Sequence, residues 1–273
     1  MQKTLKEQRE KEAAVEKYAT RGIKNIIAEF PGIEKILEEY GIGCGPCTIG
    51  ICQLKDILEI HKLPTDKEEA LMRRIEAEIY PERNIAVSEG SAQRLEHPEE
   101  ILYSKPMQVL VDEHKLIKRW LALIPGLVKN LDLASPEECH VVEEGIDLIR
   151  SYADRLHHGK EEDILFGYFD NTADIFQVIY EDHRRGRGLV QEMLRAIDAK
   201  KSEALAASLL EYAALLQEHI KKEDEVLFPW LDSRLKEEEK AELAARFDQS
   251  DKNLALDERK YHSFVEGLEQ RLM

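Results

Sequence analysis

Two decapeptides, HHGKEEDILF at residues 157–166 and HIKKEDEVLF at residues 219–228, set the frame for everything around them. Each carries a glutamate four residues after its first histidine, His157 to Glu161 and His219 to Glu223, and each closes on an apolar ILF or VLF. Residues i and i+4 share one face of an α-helix, so each pair aims an imidazole and a carboxylate at the same point. A single His-x-x-x-Glu on a charged helix is ordinarily a surface ion pair. Two in matched contexts fit a di-metal site built from several helices of a bundle, with two similar half-sites. Imidazole nitrogen and carboxylate oxygen suit iron or manganese, and a carboxylate can bridge two metals, so Glu161 and Glu223 are the bridging candidates.

The surrounding pattern supplies the helices. Helical periodicity runs over about 107–130, 136–168, 172–198 and 202–232, interrupted at Asp132 to Pro136, Asp170-Asn171 and Asp198 to Ser202, where the residues suit turns and N-caps. Four helices with short connections predict an up-down-up-down bundle over residues 107–235. Lone histidines fall on the other two helices, His114 on the first and His183 on the third, each placed to complete one metal's shell. His158 is the register alternative to His157, since Glu162 follows it at the same spacing. His140 lies 17 residues before His157, which is ~25 Å along an unbroken helix and predicts a surface position.

Residues 81–106 lose periodicity and hold Pro81, Gly90, Pro98 and Pro106, which predicts a linker. Before it, residues 23–80 read as a small helical unit, preceded by a charged helix or arm over 1–22. After the bundle, residues 236–273 read as one or two amphipathic helices of unassigned placement. The class is all-α throughout, as the Glu, Lys, Leu and Ala content and sparse Gly and Pro favour.

The segments DEHKLI, HHGKEEDILF, EDHRRG and EHIKKEDEVLFP, in that order, resemble the hemerythrin-like family, also called the cation-binding HHE family. The resemblance implies a carboxylate-bridged site for two non-haem iron ions, with manganese or zinc as other occupants, held by His114, His157, Glu161, His183, His219 and Glu223. It also keeps His140 open as a ligand, because some relatives use a histidine between the first two helices. The chain departs from the hemerythrin pattern where a second histidine of the third helix would stand: Ile179 occupies that position, four before His183. One iron is therefore expected to be open to water, to Tyr180 or to an external ligand.

Three of the four cysteines crowd into YGIGCGPCTIGIC as Cys44, Cys47 and Cys52, while Cys139 stands apart. Three thiols do not complete a tetrahedral site, so a second metal or an iron-sulfur centre there needs a fourth ligand from Cys139, His61 or another chain. A redox dithiol at Cys44 and Cys47 and buried structural thiols are the other readings. The stretch FPGIEKILEEYGIGCGPC resembles the cysteine domain that precedes the bundle in repair-of-iron-centres proteins, although their adjacent Cys-Cys is here Cys44-Gly-Pro-Cys47.

A net charge of -16 removes the basic face that nucleic acid or an anionic membrane requires. The amino-terminal Lys and Glu alternation is neither a signal peptide nor a membrane anchor, which places the chain in the cytoplasm. The expected function is a di-iron protein that binds or reacts with O2, NO or peroxide, with a redox partner or an iron-sulfur protein and a homo-oligomer as candidate partners. Iron-sulfur cluster repair or iron donation, and non-catalytic metal, oxygen or redox sensing, are the alternatives.

Overall fold

The computed structural model describes residues 18–42, 53, 54, 57, 63–86, 102–129, 131–172 and 174–272. The thiols Cys44, Cys47 and Cys52, together with His61 and His97, lie outside the described residues. The described structure is helical, and its one β-type feature is an isolated bridge between Gly22 and Gln53. The chain divides into two compact units, Met1–Ile101 and Leu102–Met273.

The first unit contains α1 (Ile23–Glu29), α2 (Gly32–Glu39) and α3 (Thr65–Ile79). Their apolar stripes meet in a core that includes Ile26, Ile33, Leu37, Tyr40, Leu71 and Ile75. Helix α2 stops at Gly41, whose φ of 77° is open to glycine and strained for other residues. There Gly41 N–H donates to Glu38 O and Ile42 N–H to Leu37 O, so two carbonyls left over at the helix end are satisfied. Ile42 and Leu37 are both buried, which seals the turn just before the cysteine segment.

The second unit is a bundle of long helices. Helix α4 runs Lys105–Val128, and α5 begins at Pro136 and is α-helical to Asp147. Ser135 caps α5, its hydroxyl accepting from Glu138 N–H. Helix α6 spans Asp174–Asp198 and α7 spans Ser202–Lys222, followed after one turn by α8 (Phe228–Arg234). The residues predicted to break the helices do so: Asp170 accepts from the backbone and hydroxyl of Thr172, and Asp132 from the backbone of Ala134.

Three stretches of the second unit widen beyond the α-helical turn. Over Leu148–His158, Glu161–Leu165 and Glu223–Leu227 the backbone shifts to i→i+5 hydrogen bonding. Such wide turns are rare and gather at functional sites. They hold more residues per turn, so neighbouring side chains diverge by less than in an α-helix. The second and third fall within the two decapeptides, and the first runs into His157 and His158 at the start of one.

The carboxyl-terminal segment forms two helices, α9 (Glu237–Leu254) and α10 (Glu258–Leu272), which pack on α4 and on the wide turns that continue α5. Val265 and Leu268 of α10 join the apolar core at one end of the bundle, and Leu243 and Phe247 of α9 join that at the other. Arg119 forks onto both carboxylate oxygens of Glu269 at 2.9 and 2.8 Å, and Lys260 and Tyr261 reach Asp147 at 2.6 and 3.0 Å. Between α5 and α4, a Cβ on Gly145 would clash with the ring of the fully buried Trp120, so the two helices approach closely there only because that side chain is absent.

Candidate metal centre

Between the two apolar cores lie seven buried polar side chains, and they fall into two interlocking groups. His114 from α4, His157 from α5 and Glu223 from the turn after α7 form one; His158 and Glu161 from α5, His183 from α6 and His219 from α7 form the other. None of the seven is more than 5% exposed. The two glutamates span the groups. Glu161 approaches His157 Nε2 at 3.7 Å and His183 Nε2 at 3.5 Å through different oxygens. Glu223 Oε2 lies 3.3 Å from His114 Nε2 and 3.2 Å from His219 Nε2.

All six residues expected from the sequence are brought together, but not as two half-sites each built on one decapeptide. His157 and His158 are consecutive yet serve different groups, which the wide turn beneath them permits. His158 is therefore not an alternative to His157; it stands beside it, its ring stacked on that of His183 with centroids 3.8 Å apart. The expected gap opposite Ile179 is also corrected. Ile179 is buried in the apolar cluster with Phe166 and Phe176, Tyr180 packs edge-on against Phe166, and His158 supplies the further imidazole beside His183. His140 sits on the surface near Glu144. Cys139 is half-buried, its thiol donating to the Leu133 carbonyl.

The second set of residues was missed by the sequence reading. Each of the five histidines turns Nδ1 outward to a carboxylate: His114 to Asp224 at 2.7 Å, His157 to Glu113 at 2.9 Å and His183 to Glu162 at 2.6 Å. His158 meets Asp154 and His219 meets Asp182, both at 3.4 Å. Every one of these acids is held in turn by a base. Lys118 binds Asp224 and Lys222 binds Asp182, Arg187 binds both Asp154 and Glu162, and Lys160 joins Glu113 to Asp251 of α9. A carboxylate on one ring nitrogen fixes the tautomer, leaving the Nε2 lone pair pointed inward, and this is the arrangement that supports metal-binding histidines. A sequence signal for these acids did exist. Four of them adjoin a candidate ligand in DEH, EDH, KEED and KKED, but each orients a histidine of a different helix.

The inward atoms lack partners. His114 Nε2, His157 Nε2 and all four oxygens of Glu161 and Glu223 are buried without a well-formed hydrogen bond. His183 Nε2 and His219 Nε2 face each other at 3.1 Å. Leaving buried carboxylates unpaired costs several kcal/mol or more, so the donor set fits positive ions between the groups. Burial, with the neighbouring Glu223 charge, holds the Glu161 carboxyl well above the usual carboxylate range. Burial also keeps His157 and His183 well below the usual histidine range, hence neutral, as ligands must be, whereas at His219 burial is outweighed by Glu223 and Asp182, which take it up to about 9, and at His114 by Asp224 and Glu223, which raise it.

Residues 105–231 match the family model described as the Hemerythrin HHE cation binding domain, so this segment is a hemerythrin-type domain. The curated relatives include an uncharacterized protein of Mycobacterium bovis and uncharacterized proteins from two strains of Mycobacterium tuberculosis. Each is 26% identical over 148 residues, covering 51% of this chain and 58% of the relative. The chain thus spans little more than half the length of those relatives. No solved structure matches it significantly. No described helix is long and apolar enough to cross a membrane.

Proposed function

We propose that the second unit is a di-iron protein whose metals bind or react with O2, NO or peroxide. The observation that carries this is the layered donor set: five imidazoles with Nε2 directed inward, two carboxylates reaching both groups, and an acid behind every imidazole. Mixed nitrogen and oxygen donors of this kind suit iron above calcium or magnesium, and the absence of thiolate among them argues against a structural zinc site. Iron bound here would supply electrons to, and a coordination position for, a small oxygen or nitrogen species.

The chain's own residues do the rest. His114, His157 and Glu223 would hold one ion; His158, His183, His219 and Glu161 the other, with both glutamates shared. The first group offers fewer imidazoles, which leaves that ion the less saturated. Glu113, Asp154, Glu162, Asp182 and Asp224 hold the rings in orientation, and the apolar cluster of Phe166, Phe176 and Phe228 restricts water on one side.

The test is metal content followed by anaerobic spectroscopy. The parent protein is expected to carry about two irons per chain, with His219→Ala and Glu223→Ala each losing metal. The reduced protein should change its optical spectrum on exposure to oxygen or nitric oxide. A parent chain that takes up no iron, or variants that retain the full complement, would refute the assignment. Metal-dependent melting with no spectral response to either gas would instead support a sensing or storage role.

A further inference from the structure

Helix α9 reaches toward the centre at one point. Phe247 and Asp251 stand four residues apart on one face of this helix, which packs on the wide turn Glu161–Leu165. Both enclose Lys160. Asp251 Oδ1 lies 2.7 Å from its ammonium, and the centroid of the buried Phe247 ring lies 5.9 Å from it. The ammonium is thereby divided between two carboxylates, Asp251 and Glu113. Glu113 is divided in its turn: Oε1 meets Lys160, and Oε2 meets His157 Nδ1 at 2.9 Å. On the far side of the ring, His157 Nε2 is buried without a hydrogen bond, in the group with His114 and Glu223. Three contacts thus connect a half-exposed acid of α9 to a fully buried imidazole. Lys118, Lys222 and Arg187 hold only acids that orient histidines, whereas Lys160 is also held by one that orients none.

We propose that Asp251 is a positioning residue for the metal held by His114, His157 and Glu223: through Lys160 and Glu113 it sets how strongly His157 donates to that ion. The proposal rests on the di-metal reading of the site. Hydrogen-bonded charges polarise one another along a chain. While Asp251 holds part of the Lys160 charge, Glu113 is the stronger acceptor for His157 Nδ1–H, and an N–H held more strongly makes Nε2 the better donor. Without Asp251 the ammonium acts on Glu113 alone, and His157 donates less. Without Lys160, Glu113 keeps His157 as its donor, and His157 donates more. The two outer members of the chain therefore act with opposite sign, which a loss of packing alone would not produce.

The experiment reads His157 in two states. In chelator-treated protein with isotopically labelled histidine, the shift of the His157 Nδ1 proton reports its bond to Glu113. In iron-loaded protein, the midpoint potential reports donation to the metal. Asp251→Asn is expected to move the proton upfield and the midpoint to more positive values, Lys160→Met to move both the other way, and Asp251→Glu to restore the parent. Loss of the acid on a metal-bound histidine costs about 10–100-fold in affinity, so Asp251→Asn, two contacts further out, should change the ratio of ferric to ferrous affinity by up to about tenfold. Glu258→Gln is the control, since Glu258 of α10 acts on Glu113 and Lys160 through charge without a hydrogen bond to either. It should leave the proton at the parent position. Should Lys160→Met fail to fold, the two Asp251 variants carry the comparison. A His157 proton unmoved by Asp251→Asn, moved in the same direction by Lys160→Met, or moved as far by Glu258→Gln overturns the proposal. So does a parent midpoint in fully loaded Asp251→Asn. A parent protein that binds no iron overturns the di-metal reading and the effect on a metal with it, while the His157 proton still decides whether the chain of contacts acts on the ring.

Discussion

Replacing Lys160 with methionine tests whether the outermost charges hold the centre together. Lys160 is 1% exposed, and its ammonium is shared between Glu113, which is 7% exposed, and Asp251 of α9 at 2.7 Å. Methionine keeps the unbranched shape and removes the charge. Asp251 is half-exposed and can recover water, but Glu113 cannot, and only its Oε2 retains a donor, His157 Nδ1 at 2.9 Å. Removing one member of a buried ion pair costs about 3–5 kcal/mol. In a domain of this size each kcal/mol moves the melting temperature by about 2–4 °C, so Lys160→Met should melt about 6–20 °C below the parent. Adding Glu113→Gln takes away the stranded charge while preserving an acceptor for His157, and should recover at least half of the loss. The assay is thermal unfolding by far-ultraviolet circular dichroism on chelator-treated protein, so that metal binding does not add to the stability of either form. A single variant within about 1 kcal/mol of the parent, or a double variant no better than the single, would refute the reasoning.

Two further expectations concern other parts of the same unit. His158→Ala should lower the iron bound per chain while His140→Ala leaves it at the parent level, as measured by elemental analysis; equal behaviour would remove His158 from the site. Gly145→Ala forces a methyl group against the Trp120 ring and should cost about 1–3 kcal/mol, read from the shift of the urea unfolding midpoint.

What the sequence reveals here depends on how local the cause is. Helix ends are legible because Ser135, Asp132 and Asp170 act on backbone groups two or three residues away. The six candidate ligands are legible because i,i+4 spacing is set within one helix. His158 was ambiguous for the opposite reason. The spacing rule assumes an α-helix and forces a choice between neighbours, whereas the i→i+5 turn over Leu148–His158 lets both face inward. Four of the five acids behind the histidines were hidden by topology, Asp154 alone standing at i,i+4 from the His158 it meets. Glu113 adjoins His114 but orients His157, and Asp182 adjoins His183 but orients His219. No rule of spacing within one helix connects such pairs; they become visible only when the helices are side by side. The placement of residues 236–273 was beyond reach for a similar reason. An amphipathic pattern says which face of a helix is buried and not what buries it.

The contact between Lys160 and Asp251 has a bearing on where the working domain ends. The segment that matches the hemerythrin-type family closes at residue 231, before α9 begins. Asp251 nevertheless completes the chain of charges that runs through Lys160 and Glu113 to His157. A fragment trimmed to the family boundary would keep every candidate ligand and lose this outer counter-charge, together with the apolar cover that Leu243, Phe247, Val265 and Leu268 provide. The structural unit around the candidate ligands is therefore the bundle with its two trailing helices, longer than the stretch that matches the family.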